Sequence, residues 1–540
     1  MAPSDDSTSE KNSAGKHEAY TAPASDHYHG EGHLEGGEPV HRLKRQLKNR
    51  HISMISIGAH GGPVGLLLGY LVVGSICYST MISLGEMISY LPIPGGHIKL
   101  AERFVNPALS FTMGWNYWYN WTIVLPAELS AAAVLINFWD KDVNLNAAWV
   151  TICLIVVVII NFLGAGAYGE AEFIFASIKV ITITGAYGMV SSSSGSCLIS
   201  EEAPITTVSV SAIGKHPGPF VQYHGISGSE GRFLGWWAVM TGAAFSFIGT
   251  EITAIAAGEA KNPRRNLPKA IRRVYVRILL FYVGGVIIIG WLVPSSDPRL
   301  VLSSGTAAAS PFVIAIQNSG IKVLPHIINA CLLTSAWSAA SSDMYTSSRA
   351  LYGLAVSGNA PKIFAKATRN GLPIYALFVS TAFSFLAYMG VKSGSGKVFG
   401  WFANMTSVAG LMTWFGIAVT YIRFYAGCKA QGIDRKKLPF SSPLQPYAAY
   451  WAAGSTIVIC FFSGWSVFLK DNWDTSAFVT NYLPFILFPI LYIGSRLWYR
   501  TPWVKAEDMD FVSDIAEIEA ECYEEPPPRN RWEAFWQWLM

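Results

Sequence analysis

The chain has 540 residues, 51% of them hydrophobic and 14% charged, with a formal net charge of +4 and mean hydropathy +0.33. Soluble domains carry about 25% charged residues, so this composition excludes an ordinary soluble fold and points to a chain built for lipid. The weak positive charge is carried by loops and gives no nucleic-acid-binding signature, and the seven scattered cysteines show neither metal-ligand spacing nor a disulfide framework.

Residues 1–40 are rich in Ser, Asp, Gly and His without apolar periodicity and predict disorder. The histidines of DHYHGEGH (26–33) raise metal binding, but a solvated tail accounts for them more simply. No cleavable signal peptide is expected in this polar opening. HRLKRQLKNR (41–50) holds five basic residues in ten, which the positive-inside rule places in the cytoplasm.

Eleven apolar spans follow, at 65–91, 113–138, 147–163, 172–190, 233–257, 274–293, 323–354, 374–390, 402–425, 447–469 and 478–498. Loop 258–273 holds six Lys/Arg, and loops 355–373 and 426–446 are also basic, so all three are expected inside. Counting back, loop 92–112 with Lys99 and Arg103 also falls inside. The basic N-terminal segment is inside too, yet only the span 65–91 separates them. One crossing cannot return to the same side. Between Arg50 and Gly65 the chain offers HISMISIGAHGGPV, about 21 Å as helix against a core of roughly 30 Å. A span is therefore missing near His60.

Span 113–138 carries Asn116, Asn120 and Glu128 among aromatics, with Pro126 to bend it. Asn120 and Glu128 stand just over two turns apart and share a side of the helix. Either they serve a site, or they are hydrogen-bonding glue between helices. The span opening at Glu172 carries Lys179 and collapses after Val190 into a serine-rich stretch, so 191–232 reads as an irregular loop. Span 323–354 is dense in small and hydroxyl residues that suit close helix packing, and Asp343 and Arg349 near its end suit an ion pair or gate.

The stretch 245–260, FSFIGTEITAIAAGEA, puts Gly249 and Glu251 in the middle of an apolar run. A carboxylate at mid-membrane costs at least about 2.5–3.5 kcal/mol and faces a cavity or a partner rather than lipid. Glycine two residues earlier weakens the helix there. A broken helix with an ionisable side chain at mid-depth is how many secondary transporters build a site. The tail 499–540 is expected in the cytoplasm, and its terminal RNRWEAFWQWLM suggests a short interfacial helix.

FSFIGTE (245–251), GEAKNPRRNLPKAI (258–271), PIPGGHIKLAERFVNPALSFTMGWNYWYNW (92–121) and SAASSDMYTSSRALYGLA (338–355) resemble the fungal amino acid permeases of the APC superfamily, from Leu47 to about Glu524. Within that family, SDPRL (296–300), residues 309–331 and GNAPKIFAKATRNGLP (358–373) are most similar to the dicarboxylic amino acid permease branch. The resemblance implies an all-α polytopic membrane protein with two inverted five-helix repeats, twelve spans where eleven are apparent here. It implies a non-enzymatic transporter at the plasma membrane, importing amino acids by proton symport and needing no cofactor or metal. Its partners would be the amino acid substrate, protons, the lipid bilayer, and ubiquitination and trafficking machinery at cytoplasmic tails.

Carried over by motif, the family's F-x-G-x-E falls on Phe247, Gly249 and Glu251, with Thr250 between. Phe247 would cap the substrate, the backbone near Gly249 and Thr250 would receive it, and Glu251 would hold the break or join proton transfer. Family pocket positions fall on Asn120 and Glu128 in the third span and on Thr406 in the tenth, Glu128 with a role in proton coupling or gating. The family's G-x-x-I-G-T-G-L-type first-span segment is absent here: ISIG (55–58) runs straight into AHGGPVG. Two other readings stay open: a non-transporting amino acid sensor, against which the short tail argues, and an inactive permease lacking the first-span motif.

Overall fold

The computed structural model describes residues 50–93, 95–140, 142–164, 168–175, 226–252, 282–292, 323–368, 371–500 and 502–520, with single residues 177, 178, 181, 264, 314 and 530. All of these lie within the unit His41–Met540. Among the described residues every regular element is helical and no strand occurs. The protein is an all-α polytopic membrane protein.

The principal helices are α1 (Arg50–Tyr90), α2 (Gly96–Phe104), α3 (Pro107–Ile136), α4 (Asn146–Phe162), α5 (Gly228–Phe247), α6 (Gly284–Leu292), α7 (Leu324–Val356), α8 (Ile374–Ser384), α9 (Ser395–Ala430), α10 (Tyr447–Phe461), α11 (Thr475–Tyr499) and α12 (Ile515–Ala520). Among the described residues five stretches are long and apolar enough to cross a bilayer: Gly62–Tyr90, Pro107–Ile136, Ser395–Ala430, Tyr447–Phe468 and Thr475–Tyr499. α7 has the length, at 33 residues, but its serines lower its hydropathy. Three of these helices contain proline: Pro63 lies inside α1, Pro126 inside α3, and Pro484 and Pro489 inside α11. Such breaks are tolerated in membrane helices because hydroxyl side chains and neighbours satisfy the freed groups, as Ser130 Oγ does by donating to Pro126 O at 2.8 Å.

Local chemistry sets the helix starts. Asn106 accepts from the Leu109 amide at 2.8 Å and Pro107 occupies the first turn of α3. α3 therefore begins six residues before the expected span at 113, and α9 likewise extends to Ser395, before the expected 402. α5 begins at Gly228, inside the stretch expected to be irregular to 232, with Glu230 in its first turn. The span expected at 172–190 lies mostly outside the described residues, as do Lys179 and the terminal segment 531–540, and of the span expected at 274–293 residues 282–292 are described.

The anomaly near His60 takes a definite form. Residues from Arg50 are helical and join the first crossing through a kink at Gly62 (φ 68°, ψ 175°), followed by Pro63. The helical piece before that kink reaches about 18 Å at 1.5 Å per residue, too short to cross a core of about 30 Å.

α1 packs along α5, and α3 packs against α7 and α9. One apolar core joins α1, α2, α5 and α9, with Tyr70, Phe104, Phe247 and Trp414 among its buried side chains. A second joins α3, α4, α7 and the start of α9. α10 and α11 instead turn large apolar side chains outward, Ile490 and Trp498 among them, as a lipid-facing surface requires.

Candidate functional site

α5 stops at Phe247. Ile248 is extended (φ −60°, ψ 141°) and Gly249 adopts φ 95°, a conformation that costs an L side chain roughly 1–2 kcal/mol. The break leaves backbone amides without helical acceptors, and Glu251 supplies one. The Gly249 amide donates to Glu251 Oε2 at 3.0 Å and to Oε1 at 3.2 Å. Trp414 Nε1, from α9, donates to Glu251 Oε2 at 3.2 Å. The carboxylate is fully buried. It thus holds the broken turn to α9.

Thr250, next to it, has Oγ1 3.5 Å from Cys77 Sγ on α1. One turn earlier, Ser246 Oγ lies 2.8 Å from the Tyr70 hydroxyl. Phe247 packs its ring against Tyr282 at 4.6 Å and Tyr70 at 5.7 Å. The break is therefore bonded to α1 on one side and to α9 on the other.

Beside the break lies a cavity of ≈ 20 Å³ lined by Asn120, Trp121, Val124, Glu128, Phe245, Ile248 and Thr406. Three residues singled out by sequence, two from α3 and one from α9, meet at this one place. Asn120 Oδ1 and Thr406 Oγ1 are buried with no hydrogen-bond partner among the described residues. A buried amide or hydroxyl oxygen left unsatisfied costs about 1–3 kcal/mol, so both are poised to accept from something that enters. The cavity holds about one water and is far too small for an amino acid, so this is a closed conformation.

Gly249, Thr250 and Glu251 sit on the break that borders the cavity through Ile248, and Phe247 is not among the lining side chains. Phe245 lines it instead, edge-on to Phe399 at 6.0 Å. Asn116 takes the structural alternative: its Nδ2 donates to Ala409 O and Thr413 Oγ1, both at 2.9 Å, gluing α3 to α9.

Sequence reasoning missed Trp414, although it stands eight residues after Thr406 and so on the same side of α9. It also missed Glu172 as a partner of α7: its Oε2 accepts from Ser338 Oγ at 2.6 Å and Ser342 Oγ at 3.3 Å. Arg349, expected with Asp343 in an ion pair or gate, lays its guanidinium over the Tyr345 ring at 3.3 Å. Among the described residues no group of three or more His, Cys, Asp or Glu is placed to hold a metal.

The amino acid permease family profile matches residues 51–507. The dicarboxylic amino acid permease of Saccharomyces cerevisiae is 41% identical over 89% of this chain and 81% of its own length. The lysine-specific permease of the same yeast is 40% identical over 92% of this chain and 82% of its own. A proline-specific permease of Emericella nidulans is 36% identical over 94% and 95%. Acidic, basic and cyclic amino acids thus stand in the names of relatives within five percentage points of identity.

Proposed function

The chain belongs to the amino acid permease family, and from that premise we propose that it imports acidic amino acids across the plasma membrane by proton symport, with both tails in the cytoplasm. The observation that carries this reading is the single cavity in which Asn120, Glu128 and Thr406 converge beside the break at Gly249. The broken turn offers backbone groups for the amino acid's charged ends, and Asn120 and Thr406 offer an amide and a hydroxyl for its side chain. Phe245 and Ile248 must swing away to admit it, which is the closing step of the cycle run in reverse.

Glu128 makes the proton part of the chemistry. An ionised carboxylate only accepts hydrogen bonds, whereas a protonated one also donates. Two carboxylates about 4 Å apart repel by about 4 kcal/mol at an effective dielectric constant of 20. An acidic substrate can therefore settle beside Glu128 only when that group carries a proton, and substrate and proton enter together. A cationic substrate would invert this logic, because ionised Glu128 would pair with it directly.

Uptake of labelled glutamate, lysine and proline in a transport-deficient fungal host tests the reading. Glutamate uptake should rise as the medium is acidified, and Glu128→Gln should flatten that dependence. Lysine uptake that survives at neutral pH and is abolished by Glu128→Gln would overturn the acidic assignment.

The short helix before Gly62 favours a second reading, a chain that binds amino acid without completing the cycle. Thermal stabilisation of the purified protein by glutamate with no uptake in the host would select it.

A further inference from the structure

Residues 503–520 follow the last crossing and lie across one end of the bundle. Their anchors are numerous and chemically distinct. Arg103 of α2 donates from Nε to Asp510 O at 2.7 Å, from Nη1 to Asp514 Oδ2 at 2.8 Å and from Nη2 to Ser513 O at 2.7 Å. Its Nη2 also pairs with Asp510 Oδ2 at 2.9 Å. Gln431, just past α9, reaches three carbonyls of the strap with its Nε2, Ala506 O, Glu507 O and Met509 O. Phe511 is buried, with its ring 5.2 Å from Phe104 and 5.5 Å from Phe424, and its carbonyl takes the Tyr90 hydroxyl at 3.1 Å. Arg264 pairs with Glu519 at 3.2 Å.

These anchors fall on two groups of helices that meet across the apolar core shared by α1, α2, α5 and α9. Tyr90 ends α1, which packs along α5, and Arg264 lies in the chain that follows the break. Phe424 and Gln431 end α9, which packs on α3, and α2 leads directly into α3. Alternating access in such folds is largely the rocking of one bundle against another around a fixed site. A segment bonded to both groups at one end of the seam resists their separation at that end. We propose that residues 503–520 form an autoinhibitory strap that ties the α1–α5 pair to α3 and α9 and holds the cytoplasmic end closed until it lifts. The cytoplasmic placement of this end follows from its basic loops and is part of the proposed topology.

Two native thiols report the two layers of the closure. Cys428 is 1% exposed and neighbours Gly427, where an added Cβ would stand 2.9 Å from the Phe511 ring. Cys77 is 0% exposed and lies deeper, against Thr250 at the break. Full-length protein in inside-out membrane vesicles would be prepared in two forms, one retaining only Cys428 and one only Cys77, the other cysteines changed to serine. Alkylation by a membrane-impermeant maleimide is then timed.

Arg103→Glu should accelerate labelling of both thiols by at least about tenfold, from the loss of charge-assisted hydrogen bonds. Arg103→Glu combined with Asp510→Arg and Asp514→Arg should restore slow labelling, a recovery that general misfolding cannot produce. Val512→Ala, at an exposed strap position, should leave both rates unchanged. Acceleration at Cys428 without Cys77 would show a lid that locks nothing and overturn the proposal. Unchanged rates in Arg103→Glu, or no recovery on charge reversal, would overturn it equally.

Discussion

Trp414 and Glu251 meet across the seam between α9 and the broken turn, indole Nε1 to carboxylate Oε2 at 3.2 Å, while the same oxygen takes the Gly249 amide at 3.0 Å. The carboxylate stands where an unbroken helix would have offered a carbonyl. It satisfies an amide freed by the break and fixes the turn's position relative to the cavity wall. An ionisable group at this depth is thereby given structural work before any transport role is assigned to it.

Trp414→Phe removes this donor and also the second ring of a fully buried indole. A hydrogen bond to a charged group contributes about 1.5–3 kcal/mol, so the variant should lose stability on that scale. Thermal unfolding in detergent should show a lowered midpoint, and labelled amino acid uptake should fall with it. A melting curve and uptake matching the parent would mean that the bond is idle.

Gly410 faces Ile248 so closely that an added Cβ would meet its Cδ1 and Cγ1 at 2.5 Å. Ile248 forms part of the cavity wall. Gly410→Ala must therefore push that side chain toward the cavity or pry α9 from the turn. Overpacking of this kind costs about 1–3 kcal/mol. Substrate KM should rise, and Ile248→Val in the same chain should recover part of the loss by making room. A KM unchanged by Gly410→Ala would place the substrate away from this wall.

Much of this arrangement is legible in sequence because membrane helices obey strong rules. The apolar spans at 65–91 and 447–469 match helices closely, and Asn120 and Glu128, eight residues apart, do share one face onto the cavity. The break at Gly249 was signalled by glycine and carboxylate in an apolar run. Trp414 was not, because a tryptophan in such a helix reads as lipid-facing or core until its partner is known. Thr406 and Phe247 show the limit of motif transfer: one reaches the cavity wall and the other packs behind it on Tyr282. The strap was illegible for a different reason. In sequence it belongs to a tail expected in the cytoplasm, and only the fold brings Arg103 to its acidic residues across more than four hundred residues of chain.

Asp510 sets how the strap responds to acid. Burial alone would raise its pKa, but the Ser513 and Val512 amides, the Ser513 hydroxyl and the Arg103 guanidinium outweigh that and bring it from 3.8 to about 2. A depressed carboxylate contributes attachment that is fully present above its ordinary value and lost as pH falls through the folded one. Protection of Cys428 from 2,2′-dithiodipyridine, which stays reactive toward thiols in acid where maleimide does not, should thus hold from neutral pH down to about 4 and fail only toward about 2. Mild acidification should leave the strap in place, and loss of protection near pH 6 would show that a different group controls it.

Glu86 and Arg435 form a buried ion pair. Glu86 is 0% exposed in its side chain against 19% for Arg435, with contacts of 2.5 Å from Nε to Oε1 and 3.0 Å from Nη2 to Oε2. That asymmetry predicts unequal effects from the two ends. Arg435→Met strands a carboxylate inside the bundle with the Ser442 amide, at 3.4 Å, and the Tyr421 hydroxyl left beside it, and breaking such a pair costs about 3–5 kcal/mol. Glu86→Gln leaves a guanidinium that keeps the Ser442 carbonyl at 3.3 Å and the face of Tyr425, so its cost should be smaller. The double variant removes the stranded charge and should be more stable than Arg435→Met alone. Thermal unfolding of the four proteins measures this directly, and equal losses from the two single changes would mean that Glu86 reaches water when its partner is gone.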